Sequence, residues 1–356
     1  MRTLFLLLCA AFFLPNTARP GHSAAPPSRQ LLVYAVTTTT QTPSVTSIYT
    51  HETGSPTTRL VYRDSDKQQR ILVKIGSSDV LGVARAVPPN DIYLVMGPPT
   101  ADPARPQDAL CRLRLAAAAQ AYAPEPLFPL PLCFSDASPY AMWNRAPLLA
   151  VSNDAKRFAL TALRVGETRL DRPAIRILSS QGSEEWQLLL EDRDLYVADL
   201  AWSPDGKALA YLVMPLGDDH TLDENLLPKA GVYLADTEAR TTRLLHHCYG
   251  DALAWHPHAN RLAVAVRGGD FWGVRWLVRL LALPSGEKVE EFSLPGPASA
   301  LAYSDDGDWL AVQASAKNRW QIWLYPTAGD WGRLLFEPPE ADGRLALLGW
   351  ARESAR

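Results

Sequence analysis

Asp218, Asp219, His220, Asp223 and Glu224 fall within the stretch GDDHTLDEN (Gly217 to Asn225). Carboxylate oxygens and an imidazole this close together are ligand types for a hard or borderline divalent cation. Asp218, Asp219 and His220 are the first choice as metal ligands. The stretch matches no fixed ligand spacing, so its plainer reading is a solvated acidic loop and the chain carries no assigned cofactor. A second group, GGDFWGVRW (Gly268 to Trp276), sets Phe271, Trp272 and Trp276 beside Asp270 and Arg275. Loop aromatics with charged neighbours are typical anchors for a protein or glycan partner. The alternative is that Trp276 begins a strand and belongs to the core, with Phe271 and Trp272 capping the sheet beneath. Cys111 and Cys133 are candidates for a disulfide that would staple the long connection between them in an oxidising compartment. Spacing alone does not show that they meet, and Cys248 would be left as the odd thiol. There is no Gly-x-Ser-x-Gly elbow and no phosphate-cradling glycine loop, so no catalytic residue is assigned.

The composition limits what these groups can serve. The 356 residues are 47% apolar and 21% charged, a globular balance, and the net charge of −3 comes with no Lys/Arg cluster. Nucleic acid is therefore not an expected partner. Arg2, the apolar run Leu4 to Leu14 and the small-residue stretch that follows have the layout of a secretory leader, too short to span a bilayer. The expectation is a signal peptide over 1–24, with cleavage after Ala18, Ala24 or Ala25, and an exported mature chain. No later apolar run is long enough for a transmembrane helix.

The elements that must position the candidate residues emerge as a repeat. LAWSPDGKALAYLV (Leu200 to Val213) returns as LAWHPHANRLAVAV (Leu253 to Val266) and LAYSDDGDWLAVQA (Leu301 to Ala314), and LLGWARES (Leu347 to Ser354) begins a further copy. The aromatic anchors Trp202, Trp255, Tyr303 and Trp350 are 53, 48 and 47 residues apart, a spacing typical of propeller blades. Weaker copies upstream place Val151 and Val87 in the anchor position. Between the hairpins lies a second recurring piece, seen in VYLADTEARTTRLL (Val232 to Leu245) and IYTHETGSPTTRLV (Ile48 to Val61). Each unit is thus four short strands joined by Gly-, Pro-, Asp- or Ser-rich turns. The expected fold is all-β: a six-bladed β-propeller of four-stranded antiparallel blades over 29–356. Because the last unit stops after one strand while RQLLVYAV (Arg29 to Val36) resembles a second strand, the N-terminal strands should pair with the C-terminal one and close the ring.

WSPDGKALAY (Trp202 to Tyr211) resembles the repeat of TolB-type six-bladed propellers, a group that is itself similar to the non-catalytic domain of prolyl oligopeptidases. The resemblance extends over Arg29 to Arg356 and is specific at Trp202 to Gly206. His256-Pro257-His258 and Ser152-Asn153-Asp154-Ala155 depart from the motif. WD-repeat proteins are structural neighbours, but the chain has no Trp-Asp dipeptide. The resemblance implies a single propeller and leaves no residues for a hydrolase domain.

In such a ring the second-to-third and fourth-to-first strand connections share one face. The long connections Thr37 to Thr46, Gly97 to Ala109, Ala119 to Arg145, Pro215 to Ala230 and Arg267 to Val274 are expected there, with short turns opposite. Loops on a rigid scaffold are where function sits. The repeat sets His246 and Cys248 after an outer strand and His256 and His258 in a short turn, which speaks against a joint metal cluster. The expected function is a non-catalytic binding module for a protein or glycan, monomeric and extracytoplasmic. The alternative is a metal-assisted hydrolase or lyase with carboxylates at the central mouth.

Overall fold

A computed structural model of the chain describes residues 30–38, 45–52, 58–63, 70–71, 91–97, 109–114, 125–130, 148–162, 173–192, 194–215, 227–270, 273–327, 331–337 and 344–352. The expected leader lies outside them. The described residues form six four-stranded antiparallel sheets, numbered here as blades I to VI. Blade I is β24 (Arg344–Arg352), β1 (Gln30–Thr38), β2 (Val45–Glu52) and β3 (Thr58–Arg63), in that order across the sheet. Blade II is β4 (Arg70–Ile71), β5 (Asp91–Gly97), β6 (Ala109–Arg114) and β7 (Glu125–Pro129), and blade III is β8 (Leu149–Val151), β9 (Arg157–Ala162), β10 (Ala174–Ser179) and β11 (Glu184–Leu189). Blade IV is β12 (Leu195–Trp202), β13 (Ala208–Pro215), β14 (Gly231–Asp236) and β15 (Thr241–His247). Blade V is β16 (Gly250–Trp255), β17 (Arg261–Asp270), β18 (Gly273–Ala282) and β19 (Lys288–Ser293), and blade VI is β20 (Ala298–Tyr303), β21 (Trp309–Ala316), β22 (Arg319–Pro326) and β23 (Arg333–Phe336). First strands of successive blades touch one another, β8 with β12, β12 with β16, β16 with β20 and β20 with β24. The fold is an all-β propeller of four-stranded antiparallel blades.

The core lies between blades, and the side-chain period of a strand explains how. In β13, Leu209, Tyr211 and Val213 pack toward blade III while Ala210 and Leu212 pack toward blade V. Both faces are buried, so the strand reads as a continuous apolar run and not as an alternation. Apolar clusters of this kind join II to III, III to IV, IV to V, V to VI and VI to I. No cluster between I and II is found among the described residues. Blade II is also the least complete, since the described part of its first strand is the two residues Arg70–Ile71, upstream of the Val87 segment expected there. Val87 itself lies outside the described residues.

The repeat anchors are structural. Trp202, Trp255, Tyr303 and Trp350 are all buried, as is Val151 in the same position. Trp202 Nε1 donates to the carbonyl of Ala150 at 3.2 Å and Trp350 Nε1 to that of Ala302 at 3.0 Å, each reaching the first strand of the preceding blade. The Ser-x-Asp motif that follows the anchor has an equally local purpose. Ser203 Oγ donates to Asp205 Oδ1 at 2.6 Å and accepts from the Ala208 N–H at 2.9 Å, which closes the turn between β12 and β13. Ser152 with Asp154, and Ser304 with Asp306, repeat the arrangement. Gly206 and Gly307 sit at positive φ (70° and 78°) in these turns, and in the glycine-less copy Ala155 adopts the same conformation at 54°. In blade V, His256 replaces the serine, its Nδ1 accepting from the N–H groups of His258 and Ala259.

Strand β24 pairs with β1 in the expected antiparallel sense, Leu32 opposite Trp350 and Val36 opposite Leu345. It is also held from blade VI. Buried Gln313 on β21 donates through Nε2 to the Leu345 carbonyl (2.8 Å) and accepts through Oε1 from the Leu347 N–H (2.6 Å).

Candidate functional site

The connection expected to be a long loop at Arg267 to Val274 is instead an extension of the blade V hairpin. Strands β17 and β18 stay in register through Arg267 opposite Trp276, Gly268 opposite Arg275, Gly269 opposite Val274 and Asp270 opposite Gly273. Glycines, an aspartate and a sharp change in polarity resemble loop chemistry, yet the register carries on because a two-strand ribbon needs neither flank. Gly268 sits close beneath Leu277: a Cβ there would meet its Cδ1 methyl at 2.9 Å and push that side chain aside.

This ribbon outruns its neighbours. On one side the last contact is the Arg267 N–H to the Tyr249 carbonyl, and on the other the Leu294 N–H to the Trp276 carbonyl. Beyond them no strand flanks Gly268 to Arg275 among the described residues. The Arg267 guanidinium lies 6.0 Å from the centroid of the half-buried Trp276 ring, Arg275 is exposed and Val274 is 51% exposed. Trp276 therefore lies inside β18 and not at its start, half-buried between core and surface. Phe271, Trp272 and the side chain of Asp270 lie outside the described residues.

Neighbouring connections place this ribbon on the face expected for it. Lys229, before β14, pairs with Asp192, before β12, at 3.3 Å, so the second-to-third and fourth-to-first connections of blade IV do meet on one face. In blade VI the corresponding hairpin turns at Lys317 and Asn318, both at positive φ (51° and 61°) as a two-residue hairpin turn requires. Arg319 beside it pairs with Glu337.

Other candidate residues are scattered. Asp218, Asp219 and His220 lie outside the described residues, and no group of three metal-ligating side chains occurs among the described ones. Cys111 is a free, buried thiol on β6, pushed up to about 11 by burial, with Sγ directed at the Ala109 carbonyl. Cys133 lies outside the described residues. Cys248 is a second buried free thiol, pushed up to about 12 by burial, and burial pulls the nearby His246 below the ordinary histidine range. The His256 ring lies tilted against Tyr303 with centroids 4.9 Å apart, and His258 Nε2 meets the Asp305 carbonyl at 2.7 Å, so both serve the seam between blades V and VI.

One exposed aromatic escapes sequence reasoning. Trp331, in the turn between β22 and β23 on the opposite face, is 88% exposed, while adjacent Gly332 packs against the Tyr325 ring. Its flanking Asp330 and Gly332 signal a turn, but nothing local separates an exposed turn tryptophan from one folded back on its blade.

Comparison with known proteins places the fold. No protein-family model and no curated protein sequence matches the chain. Among solved structures it is similar to TolB from Acinetobacter baumannii, with a TM-score of 0.57 and 15% identity over 92% of this chain and 68% of that one. A putative TolB from Agrobacterium tumefaciens gives 0.51 and 13% identity over 92% and 99% of the two chains. A chain in a nidogen–laminin complex gives 0.53 and 13% identity over 92% and 100%. At such identities the likeness is one of fold. No helix among the described residues is long and apolar enough to cross a membrane.

Proposed function

We propose that the chain is an exported, non-catalytic β-propeller that acts as a protein-binding scaffold in the extracytoplasmic space, with the blade V ribbon as its contact point. The observation that carries this reading is the overhang: Gly268 to Arg275 project past both flanking strands and bring exposed Arg275 and Val274 alongside the Arg267–Trp276 stack. Aromatic and arginine side chains are the residue types that dominate interface energetics. Similarity to TolB chains and to a chain of a nidogen–laminin complex supports a protein as the partner class.

The scaffold reading includes a six-bladed ring closed through blade I. It is supported by the six sheets, the β1–β24 ladder and the Gln313 bonds to β24. Blades III to VI bury both faces on their neighbours, which leaves loops and outer edges free for partners.

The test is capture of a partner from an extracytoplasmic extract. Replacing Phe271 and Trp272 by Ala is expected to abolish capture with the melting temperature unchanged, and Trp331→Ala is expected to leave capture intact. Capture lost with Trp331→Ala alone would move the contact to the opposite face.

A further inference from the structure

We propose that the blade V ribbon takes its partner by strand addition: an extended, acidic segment of the bound protein pairs with the outer edge of β18, where β19 has ended. This rests on the ribbon being the contact point, and it adds how the contact is made. In an antiparallel pair the N–H and C=O of one residue point to the same side, and those of the next residue to the other. Trp276 accepts the Leu294 N–H through its carbonyl, so its backbone faces the β19 side. The backbone of Val274, two residues earlier, faces the same way beyond the end of β19 at Ser293. Arg275 between them faces inward and pairs with Gly268. No strand among the described residues lies opposite the Val274 N–H and C=O.

The outer strands of the blades are poorer templates. Their pairing is broken by a bulge in all six, at Val61, Leu127, Glu185, Leu245, Val289 and Leu335, and a bulge twists an edge away from further pairing. The ribbon has no such break. Its register runs unshifted from Arg261 opposite Ala282 to Asp270 opposite Gly273.

Blade VI indicates the charge of the added strand. Arg275, opposite Gly268, occupies the register position that Arg319, opposite Ala316, holds in blade VI. There Glu337 pairs with Arg319 and accepts from Gln321 Nε2 at 2.7 Å, closing the outer edge from within the blade. Phe292 opposite Val278 matches Phe336 opposite Ile322, so Ser293 stands in blade V where Glu337 stands in blade VI. The arginine is kept and the carboxylate is not. A partner strand with an acidic side chain brings both the backbone groups that Val274 faces and the charge that Ser293 does not supply.

The probe is a fluorescein-labelled peptide that alternates glutamate and valine, titrated against the full chain. It is expected to bind, and to bind about tenfold or more weakly once its amides are N-methylated, because the backbone hydrogen bonds are lost while the side chains stay. A lysine–valine peptide is expected to bind more weakly still. Val274→Pro removes the outward N–H without touching the β17 ladder, and is expected to abolish binding at an unchanged melting temperature. Val274→Ala keeps the N–H and is expected to retain binding. If the proline variant melts lower, the methylated peptide on the unaltered chain decides. Equal binding of the methylated peptide, equal loss in both Val274 variants, or no binding of the acidic peptide overturns strand addition. Such a result leaves the ribbon as contact point standing wherever position 274 still crosslinks a protein. Peptide binding with capture unaffected by Phe271 and Trp272 replacement does the reverse, upholding the edge and overturning the scaffold reading.

Discussion

The indole N–H of Trp350 donates to the Ala302 carbonyl at 3.0 Å, so the last strand of the chain is tied to the first strand of blade VI by a side chain and not by a sheet ladder. Trp202 makes the matching bond to Ala150 one seam away from blade V. In both cases the anchor belongs to one blade and the acceptor to the blade before it. Trp350→Phe keeps an aromatic ring but removes the donor and leaves the Ala302 carbonyl without this partner. It is expected to destabilise the fold by about 1 to 3 kcal/mol in urea unfolding. Trp350→Ala, which adds a cavity, is expected to cost about 3 to 5 kcal/mol.

Gln313 gives an independent test of how β24 is held. Its amide satisfies one carbonyl and one N–H of that strand, and both groups are buried. Gln313→Leu preserves volume but leaves them unpaired, with an expected loss of about 1 to 3 kcal/mol for each group left unsatisfied. Hydrogen exchange at the Leu347 amide should accelerate more than exchange at β14. Uniform acceleration across blades would mean that the bond only stabilises the fold as a whole.

The turn after each anchor makes opposite predictions for two residues. Ala155 holds φ at 54° where Gly206 holds 70° in the matching turn, and a Cβ on Gly206 would meet only Ser152 Cβ at an ordinary 3.8 Å. The difference is therefore conformational. Ala155→Gly is expected to stabilise and Gly206→Ala to destabilise, each by about 1 kcal/mol, as read by thermal unfolding.

Acid should act through the same turns. The Ser203 hydroxyl, and then the Lys207 N–H, hold the Asp205 carboxyl below its ordinary range. A depressed carboxylate stabilises above the unfolded value near 4 and loses that contribution as pH falls through its folded value. Ser203→Ala is expected to flatten the fall in melting temperature between pH 5 and pH 3.

Much of this arrangement is legible in the sequence because it is written locally. In LAWSPDGKALAYLV the apolar runs, the Ser-Pro-Asp-Gly turn and the anchor tryptophan all point to the same hairpin, and β12 and β13 follow. The split of a unit between the chain ends is equally visible, because a strand and its hairpin partner are recognisable separately. What was not legible depends on other blades or on the absence of a partner. Gly268-Gly269-Asp270 has the chemistry of a loop, and only the register with Gly273 to Arg275 extends the ribbon. Asp199 is one acidic residue in an apolar run, and its bond from the Leu253 N–H exists only once β16 is beside it. The exposure of Trp331 likewise depends on what fails to cover it.

Contact between a protein partner and the blade V ribbon is read by site-specific photo-crosslinking in the producing cell. Val274 on the ribbon and Val289 on outer strand β19 of the same blade are 51% and 50% exposed, so a photoreactive residue at either site samples solvent alike. A discrete crosslinked protein is expected from position 274 and none from position 289. Adducts at both positions alike, or none at 274, would contradict that contact.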